Sequence, residues 1–194
     1  MNSEAKKHCR RSIRLKEFDY ARPGSYFVTI CARDRECLFG DVAVGEMRLS
    51  EYGVIASACL GEIPKHFPYV RLDAFVVMPN HVHMIVVIFD VDVRVGAQHA
   101  APLHQQQRTN VAPDSLSAIV RSYKSAVTKR VNELRGMPGV ALWQRNYYEH
   151  IVRNENELRL VREYIVNNPL QWSLDRENPI NKNAQAMKDE PWMC

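Results

Sequence analysis

The sequence predicts an α+β fold in which a central antiparallel sheet is covered by helices on one face. Segments rich in β-branched and aromatic residues alternate with segments whose apolar residues recur every three or four positions. The strand-like segments 70–78 and 81–88 are separated only by Pro79 and Asn80, as in an antiparallel hairpin. The chain has no glycine-rich phosphate loop of the G-x-G-x-x-G or Walker type, which argues against a nucleotide-binding parallel sheet.

The first half of the chain has strand signals on both sides of one predicted helix. The helix is amphipathic, and a serine at its start can accept hydrogen bonds from free backbone N–H groups. In chain order, the expected elements are a strand at 25–32, a charged turn at 33–36, short extended pieces around Gly40 and Gly45, a helix that follows Ser50 and ends before Pro64, and the two strands of the hairpin.

The second half contains two more amphipathic segments. Residues 90–113 lack periodicity and predict a mobile loop or linker, and residues 173–194 are polar and predict a loose tail. The expected elements are a helix from Leu116 to about Leu134 that Asp114 or Ser115 caps, short extended segments at 142–145 and 148–152, and a helix from Asn154 to about Asn168 that Pro169 stops. We therefore expect one domain over residues 1–172, with a basic N-terminal extension, followed by a polar tail over 173–194.

The composition excludes several classes of protein. The chain has 194 residues, of which 46% are hydrophobic, so it can build a core. No apolar run approaches the roughly 20 residues that a membrane span needs, and residues 1–14 lack the apolar centre of a signal peptide. The five cysteines are scattered and form no C-x-x-C pair, which predicts reduced thiols and not a zinc knuckle or disulfide framework. These features predict a cytoplasmic protein.

Two histidines near the start of the predicted strand 81–88 are the strongest functional signal. Side chains two positions apart point to the same face of a strand, so His81 and His83 project together. Two neutral imidazoles on a rigid strand can hold a divalent metal ion. The alternative is a pair at the rim of the sheet that binds no ligand.

Basic residues occur in three clusters although the net charge is only +4. Such clusters can follow a phosphate backbone, whereas each cluster alone could equally be a solvated surface. The clusters comprise Lys6, Lys7, Arg10, Arg11, Arg14 and Lys16 near the N-terminus, Arg121, Lys124, Lys129, Arg130 and Arg135 on one predicted helix, and Arg145, Arg153, Arg159 and Arg162 near the end.

The last predicted helix offers a reactive group and a further ligand. Tyr164 and Asn168 are four residues apart, so they share one helix face and could meet the same metal-bound substrate. The alternative for Tyr164 is a tyrosine packed in the core. Tyr123 is a rival nucleophile, since it also lies on a predicted helix and has a basic neighbour, Lys124.

Three segments resemble one known family. Residues 78–86 (Met-Pro-Asn-His-Val-His-Met-Ile-Val) resemble the HUH motif (histidine, hydrophobic, histidine) of the single-tyrosine transposases of the IS200/IS605 type. Residues 143–154 and 163–172 resemble the REP-associated tyrosine transposases within that group. The resemblance covers roughly residues 10–172 and extends to the chain between Arg10 and Cys31.

The resemblance implies a ferredoxin-like HUH fold and metal-dependent cleavage of single-stranded DNA at hairpin-forming, REP-like repeats. It implies that His81, His83 and Asn168 bind Mg²⁺ or Mn²⁺ and that Tyr164 is the nucleophile. Insertion-sequence relatives usually have Gln at the third ligand position. Glu149 and His150 match a family segment without an assigned role. The predicted DNA contacts are Arg121, Lys124, Lys129, Arg130, Arg153, Arg159 and Arg162.

The expected reaction is transposase-like strand transfer through a 5′-phosphotyrosine intermediate. Two alternatives use the same scaffold. A hydrolytic nuclease would let water attack the phosphate, and a non-catalytic nucleic-acid-binding protein would bind hairpins without cleaving them. The active unit is expected to be a monomer or a homodimer.

Overall fold

The computed structural model describes residues 21–90, 115–175 and 177–183. The N-terminal basic cluster, the predicted loop after Asp90 and residues 184–194 lie outside this part of the chain. Within the described residues, no helix combines the length and apolar character that crossing a membrane requires.

Four strands form the main sheet and two short strands form a separate hairpin. The order in the main sheet is β4-β5-β1-β6, and every neighbouring pair is antiparallel. The strands are β1 (Gly24–Cys31), β2 (Gly40–Ala43), β3 (Glu46–Leu49), β4 (Val70–Val77), β5 (His81–Ile88) and β6 (Tyr148–Val152). The predicted hairpin is confirmed, because β4 and β5 pair directly and the backbone N–H of Met78 donates to the carbonyl of His81.

Three helices pack on the sheet: α1 (Glu51–His66), α2 (Leu116–Leu134) and α3 (Glu155–Asn167). Strand alternation divides the core between the two faces. Val82, Met84 and Val86 of β5 pack with α1 and α2, whereas Ile85 packs with α3 on the opposite face. Helices α1 and α2 therefore cover one face, and α3 lies on the face to which His81 and His83 belong.

The predicted helix caps are present, but α1 ends later than expected. Ser50 accepts a hydrogen bond from the N–H of Gly53, and Asn154 accepts one from the N–H of Glu157. Helix α1 continues through Pro64 to His66, which corrects the expected end before the proline. Since Pro64 lies in the last turn, its missing N–H removes only one helical hydrogen bond.

The predicted extended segment 142–145 forms an isolated β-bridge and not a regular strand. Its backbone pairs with the end of β1 and the two residues that follow. Arg33 donates to the carbonyl of Leu142, Gln144 donates to that of Cys31, and Trp143 forms an isolated bridge with Ala32. These hydrogen bonds satisfy the backbone carbonyl of Leu142 and the backbone N–H of Gln144 without a regular strand ladder.

The described part of the predicted tail is ordered and packed, which corrects the expectation of a loose segment. Short 3₁₀ turns occur at Trp172–Leu174 and Pro179–Asn183, and Asp175, Glu177 and Asn178 are buried. Internal hydrogen bonds satisfy these polar groups, so the segment needs no apolar pattern to pack. The domain boundary at residue 172 stays a prediction.

Candidate metal centre and tyrosine site

His81 and His83 are fully buried and face each other. Their Nε2 atoms are 3.0 Å apart, and their side chains are at most 1% exposed. Thr29 Oγ1 lies 2.9 Å from the Nδ1 atom of His83, and the ring of Phe27 stacks on the His83 imidazole at 5.3 Å. Thr29 contacts Nδ1 of His83, and Asn80 contacts Nδ1 of His81. The two Nε2 atoms therefore face each other.

The side chain of Asn80 fixes the tautomer of His81. Its Nδ2 donates to the carbonyls of Arg35 and Glu177, at 3.1 and 2.7 Å. The amide oxygen must then be the atom that lies 2.9 Å from His81 Nδ1, so Nδ1 carries the hydrogen. In this tautomer the lone pair of the imidazole is on Nε2, the atom that faces His83 and that would bind a metal ion.

Asp175 completes a cluster that the sequence did not predict. Its Oδ2 lies 3.9 Å from His81 Nε2, and the possible ligand atoms of His81, His83 and Asp175 all lie within 4.8 Å of one another. A carboxylate and two imidazoles suit a divalent cation, and the imidazoles favour Mn²⁺ over Mg²⁺. The residues therefore fit the implied metal ion. The sequence feature that could have revealed the segment around Asp175 is the run of turn-forming residues between 173 and 181, which favours tight turns over an unstructured tail.

Tyr164 lies against the histidine pair. Its hydroxyl is 3.2 Å from Nε2 of His83, and the two rings are 5.1 Å apart. Helix α3 places it there because Leu158, Val161 and Ile165 pack on Phe27 and Ile85 beside the histidines. The packed-core alternative also describes part of its surroundings, since Tyr164 borders this apolar cluster.

Tyr123, the rival nucleophile, lies on the other side of the sheet. It is buried in the core between the sheet and helices α1 and α2, and its hydroxyl donates to the carbonyl of Ala56. Burial raises its pKa well above the usual value, which disfavours the phenolate that attack requires. The structure separates this residue from the histidines.

Asn168 follows α3, one turn beyond Tyr164, and is buried. Its Oδ1 has no hydrogen-bond partner among the described residues. A buried acceptor of this kind is satisfied when a water molecule or an ion occupies its neighbourhood. Asn168 therefore stays a predicted ligand, in addition to the candidate ligand Asp175.

Known proteins resemble this chain in sequence and in fold. No protein-family model matches the chain. It is 41% identical over 174 residues to a Haemophilus influenzae protein named "Uncharacterized protein", and the match covers 87% of this chain and 93% of that protein. A second H. influenzae protein, named "Putative REP-associated tyrosine transposase", is 24% identical over 153 residues, covering 79% of this chain and 74% of that protein.

A solved structure of a REP-associated tyrosine transposase bound to a REP hairpin has a TM-score of 0.54 and 20% sequence identity, with 84% of this chain and 76% of that chain covered. This chain belongs to the same family as the 41% identical H. influenzae protein, and it has the fold of the solved REP-associated tyrosine transposase. The structural match confirms the predicted fold class, an α+β fold with an antiparallel sheet.

An open cleft of about 1440 Å³ has Thr29 and Glu177 in its lining, whereas His81, His83, Asp175 and Tyr164 do not line it. One wall belongs to α2, with Arg121, Lys124 and Lys129, and the other belongs to the segment 139–149. The cleft reaches Thr29, which contacts His83. Lys124 Nζ donates to the carbonyl of Gln144, and burial lowers the pKa of this lysine.

The other predicted DNA contacts do not line this cleft, and three of them are held by carboxylates. Arg130 forms two hydrogen bonds with Glu62 of α1. Arg162 pairs with Asp73 of β4, and Arg159 pairs with Glu163 within α3. The Arg153 side chain is exposed, and its backbone N–H donates to Glu157.

Proposed function

We propose that this protein is a metal-dependent single-stranded DNA endonuclease and strand transferase that acts at hairpin-forming repeats through a 5′-phosphotyrosine on Tyr164. The observation that carries the proposal is the 3.2 Å distance from the Tyr164 hydroxyl to His83 Nε2, beside the His81–His83–Asp175 cluster. The hairpin in the solved structure of the REP-associated tyrosine transposase supports the choice of substrate.

Each group has a separate role in this reaction. A divalent cation held by His81, His83 and either Asp175 or Asn168 would polarise the scissile phosphate and offset the charge on its oxygens. Tyr164 supplies the nucleophile. Its hydroxyl lies beside the ligand atoms, which would bring it close to a phosphate bound at the cation.

The chemical step exchanges one ester for another. The Tyr164 oxygen forms a bond to phosphorus and loses its proton, while the bond from phosphorus to the 3′ oxygen breaks and that oxygen gains a proton. The products are a 5′-phosphotyrosine and a free 3′-hydroxyl. Because the ester bond is retained, a second 3′-hydroxyl can attack the phosphotyrosine and release Tyr164 without ATP.

The cleft along α2 supports a single-stranded substrate. Its basic side chains can bind phosphates, and Tyr147 and Tyr148 in the opposite wall can stack with bases. We propose that Arg121, Lys124 and Lys129 contact DNA that lies in this cleft. Since His81, His83, Asp175 and Tyr164 come from one chain, a monomer has a complete site, and size-exclusion chromatography with light scattering tests this.

The decisive experiment incubates labelled single-stranded hairpin oligonucleotides with the protein and Mn²⁺ and identifies products by denaturing gel and mass spectrometry. We expect a covalent adduct that Tyr164→Phe abolishes and Tyr123→Phe retains. Cleavage without an adduct, unaffected by Tyr164→Phe, would establish the hydrolytic alternative. Hairpin binding without cleavage at any Mn²⁺ concentration would establish the non-catalytic one.

A further inference from the structure

Helix α3, which carries Tyr164, is tied to both edge strands of the sheet. On one side, Nε and Nη2 of Arg162 donate to the two carboxylate oxygens of Asp73 in β4, both at 2.6 Å. On the other side, Oε1 of Glu157 lies 2.6 Å from Nε2 of His150 in β6. Among the described residues, β4 and β6 are the outermost strands of the sheet, so the Arg162–Asp73 ion pair and the His150–Glu157 hydrogen bond hold the helix at opposite edges.

The two pairs also lie on opposite sides of the helix. At 100° per residue, Glu157 and Arg162 flank the apolar stripe of Leu158, Val161 and Ile165 on its two sides. Tyr164 lies on the same side of the stripe as Glu157. Rotation of α3 about its own axis in one direction would stretch one of the contacts, Arg162–Asp73 or Glu157–His150. Rotation in the opposite direction would stretch the other.

Three of the four side chains in these anchors are sheltered. The side chain of Asp73 is 8% exposed, and those of His150 and Glu157 are 11% and 13% exposed, whereas that of Arg162 is 41% exposed. Glu157 also accepts a hydrogen bond from the backbone N–H of Arg153 at 2.6 Å, so both of its oxygens are engaged. Ion pairs with this geometry fix a side chain more firmly than exposed pairs do.

Small rotations of α3 matter for the reaction. A turn of about 20° would move a group about 6 Å from the helix axis by about 2 Å. Misplacement of a reacting group by about 1 Å can lower a rate by about 100-fold. The apolar stripe by itself would keep the helix on the sheet. It would not fix the rotation of the helix, because apolar contacts are not directional.

We propose that the Asp73–Arg162 and His150–Glu157 pairs are positioning residues that set the rotation of α3 and hold the Tyr164 hydroxyl at the histidine pair. This inference rests on the proposed role of Tyr164 as the nucleophile. It gives a role to His150 and places Arg162 away from DNA binding.

The test uses the full-length protein with two measurements. The first is the rate of adduct formation at saturating hairpin DNA, together with the Kd for that DNA. The second is the ¹⁹F NMR signal of 3-fluorotyrosine placed at position 164, recorded without DNA. The variants are Arg162→Ala, the milder Arg162→Lys, Glu157→Gln and the charge-exchanged pair Asp73→Arg with Arg162→Asp. The control is Asn156→Ala, since the side chain of Asn156 is exposed on the same helix.

We expect Arg162→Ala and Glu157→Gln to lower the rate by at least about 10-fold with less than about a threefold change in Kd. They should also shift the ¹⁹F signal, with Arg162→Lys intermediate and Asn156→Ala unchanged. The charge-exchanged pair should restore part of the rate. Circular dichroism tests whether each variant folds. If Arg162→Ala does not fold, Arg162→Lys takes its place in the comparison.

Two results overturn the proposal. One is a lower affinity for DNA at an unchanged rate and ¹⁹F signal, which would make Arg162 a DNA contact. The other is a charge-exchanged pair that restores nothing while the single variants fold. If the wild type forms no adduct, the proposed function fails, whereas the ¹⁹F signal still decides whether the two pairs position Tyr164.

Discussion

The hydroxyl of Tyr164 lies 3.2 Å from Nε2 of His83, although the two residues are 81 positions apart in the chain. The contact forms because β5 and α3 share one face of the sheet. Phe27 packs against both rings, stacking on His83 and meeting Tyr164 edge to face. The histidines and the tyrosine of the candidate site are therefore held by a central strand and a packed helix, which favours a fixed geometry, whereas Asp175 comes from the segment between two 3₁₀ turns.

Asp175 is expected to contribute more to metal binding than Asn168. In isothermal titration with Mn²⁺, Asp175→Ala should weaken affinity by more than roughly 10-fold, because a buried anionic ligand next to His81 is lost. Asn168→Ala should have a smaller effect, and Asp34→Ala, at an exposed position, should have none. A larger loss in Asn168→Ala would instead establish the ligand that the sequence predicted.

Asn80 should matter although it is not a ligand. Asn80→Ala removes the acceptor that keeps the hydrogen of His81 on Nδ1, so Mn²⁺ affinity should fall by about 10- to 100-fold. Asn80→Asp keeps an acceptor but loses the donors to Arg35 and Glu177, and its effect should be intermediate. Equal Mn²⁺ affinity in Asn80→Ala and wild type would rule out this role.

The cleft along α2 predicts which basic residues of that helix bind DNA. Arg121→Ala and Lys129→Ala should each weaken binding to single-stranded DNA and reduce the slope of log K against log salt by about 0.7. Arg130→Ala is the matched control, because Glu62 engages this guanidinium away from the cleft. Fluorescence anisotropy of the Tyr164→Phe protein across a salt series measures these slopes. The same loss in all three variants would mean that general charge, and not the cleft, binds DNA.

The Asp73–Arg162 pair predicts a pH dependence of stability. The hydrogen bonds from Arg162 lower the pKa of Asp73 below its usual value. The ionised carboxylate thus stabilises the fold above the unfolded-state pKa of about 3.9, and this stabilisation is lost as the pH falls through the lower folded-state pKa. In urea unfolding, the gap between wild type and Asp73→Asn should be constant above about pH 5 and shrink below about pH 4. A gap that persists unchanged at pH 3 would contradict this, and Arg162→Ala should show the same trend.

Two glycines of α1 should respond to alanine in opposite ways. A Cβ at Gly61 would meet nothing within 4 Å, so Gly61→Ala should raise the free energy of unfolding by about 1 kcal/mol through helix propensity. A Cβ at Gly53 would lie 2.1 Å from the carbonyl oxygen of Phe39, so Gly53→Ala should lower it by about 1–3 kcal/mol. Thermal unfolding of both variants gives the comparison, and stabilisation by Gly53→Ala would show that the start of α1 can shift.

Local patterns predicted the framework of the site. The two-residue period of strand β5 placed His81 and His83 on one face, and the helix cap at Asn154 placed the start of α3. These features depend on neighbours in the chain, so they can be derived without a structure. Asp175 was missed because it lies in a polar segment without periodicity, where burial follows from long-range hydrogen bonds.

The sequence by itself determined the fold class, the paired imidazoles and a tyrosine four residues before Asn168, because strand alternation, helix periodicity and motif spacing are local properties. Only the tertiary structure decided that Tyr164 and not Tyr123 meets the histidines, since that depends on which face of the sheet each helix covers. It also brought Asp175 to His81 and separated the basic residues that line the cleft from Arg130, Arg159 and Arg162, which do not line it. These outcomes depend on packing between segments far apart in the chain, for which no short pattern carries information.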